Sequence, residues 1–199
     1  AALAKWPNVP ACHGWLGLDS RGQWHMRDDR VQAAGPFARS KGSPLRHDKL
    51  IAFIHRNYAA DEFGQWFFQN GPQRVYVELE SAPWIWRLDA TGALLAHTGA
   101  RPARLLSALL LDDDRLVLVT DLGPGQLDDR DAAAFIDQLT DRQSQPLSEA
   151  GLERWLEGRE DAFVAAAALG LAGGRIVLGR CRSADLPARF GFVREPAGL

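Results

Sequence analysis

Sulfur is scarce in this chain. Its 199 residues include two cysteines, Cys12 and Cys181, and one methionine. Two thiols at opposite ends of a sequence make no disulfide framework, and neither has a partner at the spacing of a metal knuckle or redox pair. Packed, reduced thiols are the expectation. Long apolar runs are missing too. The longest, around Ala162–Ala172 and Leu105–Leu111, stop short of the roughly 20 residues that cross a bilayer as a helix. The opening Ala-Ala-Leu-Ala-Lys-Trp-Pro has no charged segment leading into an apolar one, so a cytoplasmic protein is expected. An excess of one charge is also absent. Lys and Arg number 23 against 25 Asp and Glu, a net charge of −2. Neither nucleic acid nor membrane is an expected partner.

Catalytic and cofactor signatures are equally thin. No Gly-x-Ser-x-Gly elbow occurs, and neither cysteine stands in a protease or oxidoreductase context. His47 and His55 share a predicted helix but lie eight residues apart, about 12 Å along the axis and too far to share an ion. Asp112-Asp113-Asp114 lacks the alternating oxygen ligands and closing Glu of a calcium loop. The run Leu116–Asp121, Gly123-Pro124-Gly125 and a following helix has the order of a nucleotide-binding turn. However, Asp128 stands where the third glycine belongs, and Asp128 with Asp129 would repel a pyrophosphate, so Gly123-Pro124-Gly125 is expected to be a capped loop. The expectation is no catalytic residue, no metal and no cofactor.

What the chain does contain is a pattern used twice: Pro44-Leu45, Leu50, Phe53-Ile54, and again Pro146-Leu147, Leu152, Trp155-Leu156. Each copy is followed by an apolar run, Val75–Leu79 and Ile176–Leu178, which implies one supersecondary unit repeated. Residues Ala1–Gly42 read as irregular, with short strands around Trp15–Leu18 and Gln23–Met26 and with Trp6, Trp15 and Trp24 pegging them to a core. Ser43-Pro44 reads as the cap and first position of a helix over Pro44–Asn57. Gly64–Gln69 and Gln73–Glu80 flank Asn70-Gly71-Pro72 as a hairpin. Trp84–Leu88 is a strand turning at Asp89-Ala90-Thr91-Gly92. Leu105–Leu111 and Leu116–Asp121, around Asp112-Asp113-Asp114, are consistent with a second hairpin, although the first run could equally be helical. Helices are expected at Asp128–Leu139, Pro146–Glu157 and Ala162–Leu171, and a strand at Arg175–Gly179. Without sustained strand–helix–strand alternation this is an α+β chain. Two related helix-plus-antiparallel-strand units are expected, over 1–89 and 90–199.

The segment Ser43–Leu88 resembles a bacterial family known as domain of unknown function 1285. The residues that carry the likeness are Gly22-x-Trp24, Pro44-Leu45-Arg46, Leu50 with Phe53, Val75–Leu79 and Glu80-Ser81-Ala82-Pro83-Trp84. Two positions depart from the family pattern. Asn70-Gly71-Pro72-Gln73 lacks the carboxylate between the strands, and Ser81 replaces the acid before Ala-Pro. The resemblance implies a two-part α+β fold and a role in ligand binding or signalling, with no established enzymatic activity.

On Val75–Leu79 the valines and Leu79 share one face while Tyr76, Glu78 and Glu80 share the other, and Trp84 and Trp86 flank Ile85. If one face buries against the helix, the other displays aromatic and acidic groups suited to a small ligand or a protein partner. A basic set of Arg39, Lys41, Arg46, His47, Lys49 and Arg56 surrounds the helix start. The reading is a ligand-binding or regulatory module with a site at Arg46, His47, Tyr76, Glu78, Trp84 and Trp86. Its partner is a small molecule or another protein, and a homodimer is one form it could take. The rival readings are an enzyme with a site assembled from distant residues and an oligomerisation module.

Overall fold

A computed structural model describes residues 9–197. The fold is α+β, and the chain divides into two compact units. One comprises the described residues of Ala1–Pro83 with Leu186–Leu199, the other Trp84–Asp185. The division therefore falls ahead of Trp84 rather than after Asp89, and the end of the chain returns to the first unit.

The first unit contains β1 (Cys12–Leu18), β2 (Trp24–Met26), α1 (Asp29–Ala33), β3 (Ser43–Pro44), α2 (Asp48–Arg56), β4 (Tyr58–Ala60), β5 (Trp66–Asn70) and β6 (Gln73–Leu79). Its six strands lie in the order β3-β2-β1-β6-β5-β4. The β5–β6 hairpin forms where Asn70-Gly71-Pro72 marked it. Asn70 pairs with Gln73, so only Gly71 and Pro72 turn the chain, with Gly71 at φ +59°. Pro44, in contrast, does not open a helix. It pairs with His25 on an edge strand, where a residue without an N–H is tolerated. The helix starts at Asp48, capped by His47, whose Nδ1 accepts the Leu50 N–H at 3.2 Å. Of the tryptophans expected to peg the N-terminal segment, Trp24 is buried, Trp15 is exposed, and Trp6 lies outside the described residues.

The second unit runs through β7 (Trp84–Leu88), β8 (Leu94–Ala96), β9 (Leu105–Leu111), β10 (Leu116–Thr120) and β11 (Gly123–Leu127). It continues through α3 (Ala132–Ile136), β12 (Leu139–Thr140), α4 (Glu149–Leu156), β13 (Phe163–Ala165) and β14 (Arg175–Cys181). Two expectations fail here. Gly123-Pro124-Gly125 is part of β11 rather than a loop. The alanine-rich Ala162–Leu171 is not a helix: Phe163–Ala165 pairs on both sides, with β12 and β14, and only Ala166–Leu169 winds into a 3-10 turn. Alanine's helix preference is small beside pairing on both sides and the burial of Val164. The helix expected over Asp128–Leu139 shrinks to a 3-10 turn at Asp129–Asp131 followed by the short α3. A last helix, α5 (Leu186–Phe190), belongs to the first unit.

The eight strands of the second sheet run β12-β13-β14-β9-β10-β11-β7-β8. Read from β11, its first six are β11-β10-β9-β14-β13-β12, the same chain order as β3-β2-β1-β6-β5-β4. The senses agree pair by pair, because β1–β6 and β9–β14 are parallel and the other four pairs of each set are antiparallel. Within that order α2 joins β3 to β4 and α3 joins β11 to β12. The counterpart of α2 is thus α3, which repeats Ala52-Phe53-Ile54 as Ala134-Phe135-Ile136. The helix after Pro146 is an additional one, placed between β12 and β13. Matching Phe53 with Trp155 by spacing alone does not survive the topology.

Candidate ligand-binding cleft in the first unit

The six residues read as a site divide between the two units, Trp84 and Trp86 in the second and the other four in the first. Trp84 and Trp86 are 8% and 0% exposed and sit in the core of the second unit. Their indole N–H groups donate to the carbonyls of Leu122 at 2.7 Å and Leu118 at 2.8 Å, and their rings stack with centroids 6.0 Å apart. Beside them a Cβ on Gly125 would come within 2.2 Å of Trp86 Nε1. The Gly-Pro-Gly stretch is therefore a strand kept small so that two tryptophans can lie against it. Both faces of β7 are covered, and the expected aromatic display there does not exist. In the first unit Glu78 is engaged by the buried Arg27. Arg46 and His47 lie exposed at the start of α2. Of the six, Tyr76 alone lines a polar cleft.

That cleft begins with an irregularity in β1. Cys12 pairs with Val75, yet the next pair is Leu16 with Val77, so β1 carries extra residues across the interval. Gly14, at φ +78°, takes the conformation this needs. The bulged segment places the His13 ring flat on Tyr76, with centroids 4.5 Å apart and planes 8° from parallel. The Tyr76 hydroxyl donates to Asp61 Oδ2 at 3.0 Å. The other oxygen of Asp61 holds its own turn, accepting the N–H groups of Phe63 at 3.0 Å and Gln65 at 2.9 Å. Gly64 completes the turn at φ +76°, where a Cβ would strike the carbonyl of Gly191. Gln65 in turn accepts the Ala197 N–H at 3.0 Å.

Together with Glu62 and Arg74 these groups line a cavity of about 420 Å³. Phe63 stands 57% exposed at its mouth, and the Arg74 guanidinium lies 4.7 Å from the Phe67 ring centroid. Burial pushes the His13 pKa down, which leaves the imidazole neutral near pH 7 with one nitrogen to donate and one to accept. The cleft thus presents two carboxylates, one guanidinium and a stacked ring platform. No Ser, Thr, Cys or Lys lines it, so it offers no usual acyl nucleophile. Among the described residues, no three or more His, Cys, Asp and Glu side chains come together as a metal site.

Alternation along β6 correctly sets Tyr76 apart from Val75 and Val77. His13 was invisible in the sequence because a register jump leaves no local pattern. Asp61 had a signal in Asp61-x-x-Gly64, which recurs as Asp19-x-x-Gly22 and Asp89-x-x-Gly92. In all three the aspartate accepts N–H groups two and four residues on.

A family model described as "Protein of unknown function (DUF2946)", under the name DUF2944, matches residues 1–197. The chain belongs to that family. No curated protein matches it. Two solved structures match parts of the chain, and both are DUF1285 family proteins, the family that the motifs of Ser43–Leu88 resemble. One, from Shewanella baltica OS155, is 16% identical with a TM-score of 0.39, over 61% of this chain and 90% of its own. The other, from Silicibacter pomeroyi DSS-3, is 13% identical with a TM-score of 0.42, over 70% and 77%. Likeness at this level carries no argument about function. No helix among the described residues is long and apolar enough to cross a membrane.

Proposed function

We propose that the protein is a cytoplasmic, non-catalytic binding module of a regulatory kind. In this reading the cleft around His13 takes a small zwitterion of the amino-acid class that carries a ring. The observation that carries the reading is the stacked His13–Tyr76 pair, tied to Asp61 and facing Arg74 and Glu62 across one cavity. A ligand amine meets the carboxylates, its carboxylate meets Arg74, and its ring continues the stack. The size suits such a ligand, since small-molecule sites start at about 300 Å³. Free Cys12 and Cys181 are compatible with a reducing compartment.

The test is a thermal-shift screen of amino acids and their ring-bearing derivatives, followed by calorimetric titration of any hit. A ligand at a hundred times its dissociation constant should stabilise the protein by about 2.7 kcal/mol. Arg74→Ala should then weaken binding at least tenfold, as expected for a charged hydrogen bond. His13→Ala should weaken it several-fold through lost stacking. A hit whose affinity neither change alters would place the site elsewhere, and a screen without any hit would remove the reading.

A further inference from the structure

The opposite face of the same sheet carries a second cavity. Side chains alternate along a strand, so His13 and Tyr76 face the polar cleft while their neighbours Cys12 and Val75 face the other way. There, between the sheet and α2, lies a pocket of about 260 Å³. Its floor is built by Leu16, Ile54, Phe68 and Val75, all buried. Its rim is built by Trp15, Met26 and Leu50, which are 39%, 44% and 36% exposed. The helix leaves this space because Ile54 is its one buried residue, and Phe53 turns edge-on to Phe68 at 6.1 Å. An open pocket with so apolar a lining suits an apolar guest. Three large apolar side chains left at the mouth of one pocket mark a binding surface more than a scatter of exposed residues would.

Charge beside the mouth narrows the guest. Exposed Arg46 precedes Leu50 by four residues and exposed Lys49 adjoins it, whereas His47 uses its Nδ1 to accept the Leu50 N–H. Asp48 is the acid within this stretch, half a turn away from Leu50 around the helix. Of the wider basic set, Lys41 is already held by Glu80 at 2.8 Å. An apolar bore whose rim residue Leu50 has exposed cations next to it in the chain fits an amphipathic anion. The volume is eight or nine times the roughly 30 Å³ share of one water, about what a chain of eight carbons fills. We infer that the pocket under α2 binds a free medium-chain carboxylic acid, its tail on the floor of Leu16, Ile54, Phe68 and Val75 and its carboxylate at Arg46 and Lys49.

The experiment titrates butanoate, hexanoate, octanoate, decanoate and dodecanoate into the full chain by calorimetry, with octanol as the uncharged control. Each methylene buried contributes about 0.8 kcal/mol, so affinity should climb about fourfold per carbon and level off once the pocket is full. Octanol should bind several-fold more weakly than octanoate, and Arg46→Ala with Lys49→Ala should erase that difference. Leu50→Glu and Met26→Glu alter exposed positions, so both should fold normally by circular dichroism and lose octanoate. Absence of saturable binding for every acid overturns the inference, as does affinity that neither Glu variant lowers. A chain-length series with no plateau, together with flotation on phosphatidylglycerol vesicles, would make the face a lipid surface instead. Self-association in sedimentation that Leu50→Glu abolishes, without acid binding, would make it a contact between copies. None of these results depends on whether the cleft around His13 binds its own ligand.

Discussion

His55 shows how one side chain can tie stability to pH. It lies near the end of α2, and its Nε2 accepts the indole N–H of the buried Trp24 at 2.9 Å. Only an unprotonated Nε2 can do so. Burial lowers its pKa, and lowers that of His13 for the same reason. Because both groups bind a proton less readily folded than unfolded, the unfolded chain takes up more protons below its own pKa of about 6.5. Stability is therefore full above that pH and lost as pH falls below it. Urea unfolding should give a lower midpoint at about pH 5.5 than at about pH 7.5, and His55→Gln should flatten part of the difference. Equal midpoints would show that neither ring is held neutral by the fold. At this scale the sequence was half legible. The histidines read as hydrogen-bonded or surface groups rather than metal ligands, and the His55–Trp24 bond fits the first of these. The stacking of His13 on Tyr76 depends on a bulge between distant strands and could not be read.

Among the elements, those with a strong local signal formed as read. The hairpins at Asn70-Gly71-Pro72 and Asp112-Asp113-Asp114 formed, as did the turn at Asp89-Ala90-Thr91-Gly92. Elements whose state depends on distant partners did not. Pro44 has the chemistry of a helix start but serves as an edge strand, Ala162–Leu171 has helical composition but supplies a central strand, and Gly123-Pro124-Gly125 reads as a loop but pairs with β10 and β7. The correspondence of α2 with α3 has an energetic consequence. Phe135 is fully buried in α3 and Trp155 is buried in α4, whereas Phe53 in α2 is only half-buried. Phe135→Ala and Trp155→Ala should each cost roughly 3–5 kcal/mol, the usual range for a large core aromatic. Phe53→Ala should cost less, about 1–2 kcal/mol. Denaturant titration of the three variants decides it, and a Phe53→Ala loss as large as the others would mean that α2 seals a core like that of α3.

At the scale of the whole chain, the α+β class was legible because helices and strands do not alternate regularly. The parallel pairs β1–β6 and β9–β14 were not, since each joins strands far apart in sequence and no local periodicity records such pairing. The return of the C-terminal segment to the first unit was hidden for the same reason, and it has a testable weight. Leu186 and Phe192 are buried, and the Leu79 N–H donates to the Arg194 carbonyl at 2.8 Å. Arg194 Nε donates to the Ser81 carbonyl at 2.8 Å, and Val193 forms a bridge with Gln65. Burying the two apolar side chains is worth about 1.5–3 kcal/mol each, and the hydrogen bonds add to that. A chain ending at Asp185 should therefore lose several kcal/mol from the first unit, on the order of the whole stability of a small domain. The segment Trp84–Asp185 is continuous and has its own core, so it should keep its fold in that shortened chain and also when expressed alone. Calorimetry with limited proteolysis separates these outcomes. The expected result is a protease-resistant core from Trp84 to Asp185, with the low-temperature transition lost. If both units instead melt together in the shortened chain, the segment after Asp185 supports the second core as well as the first, and the two are energetically one.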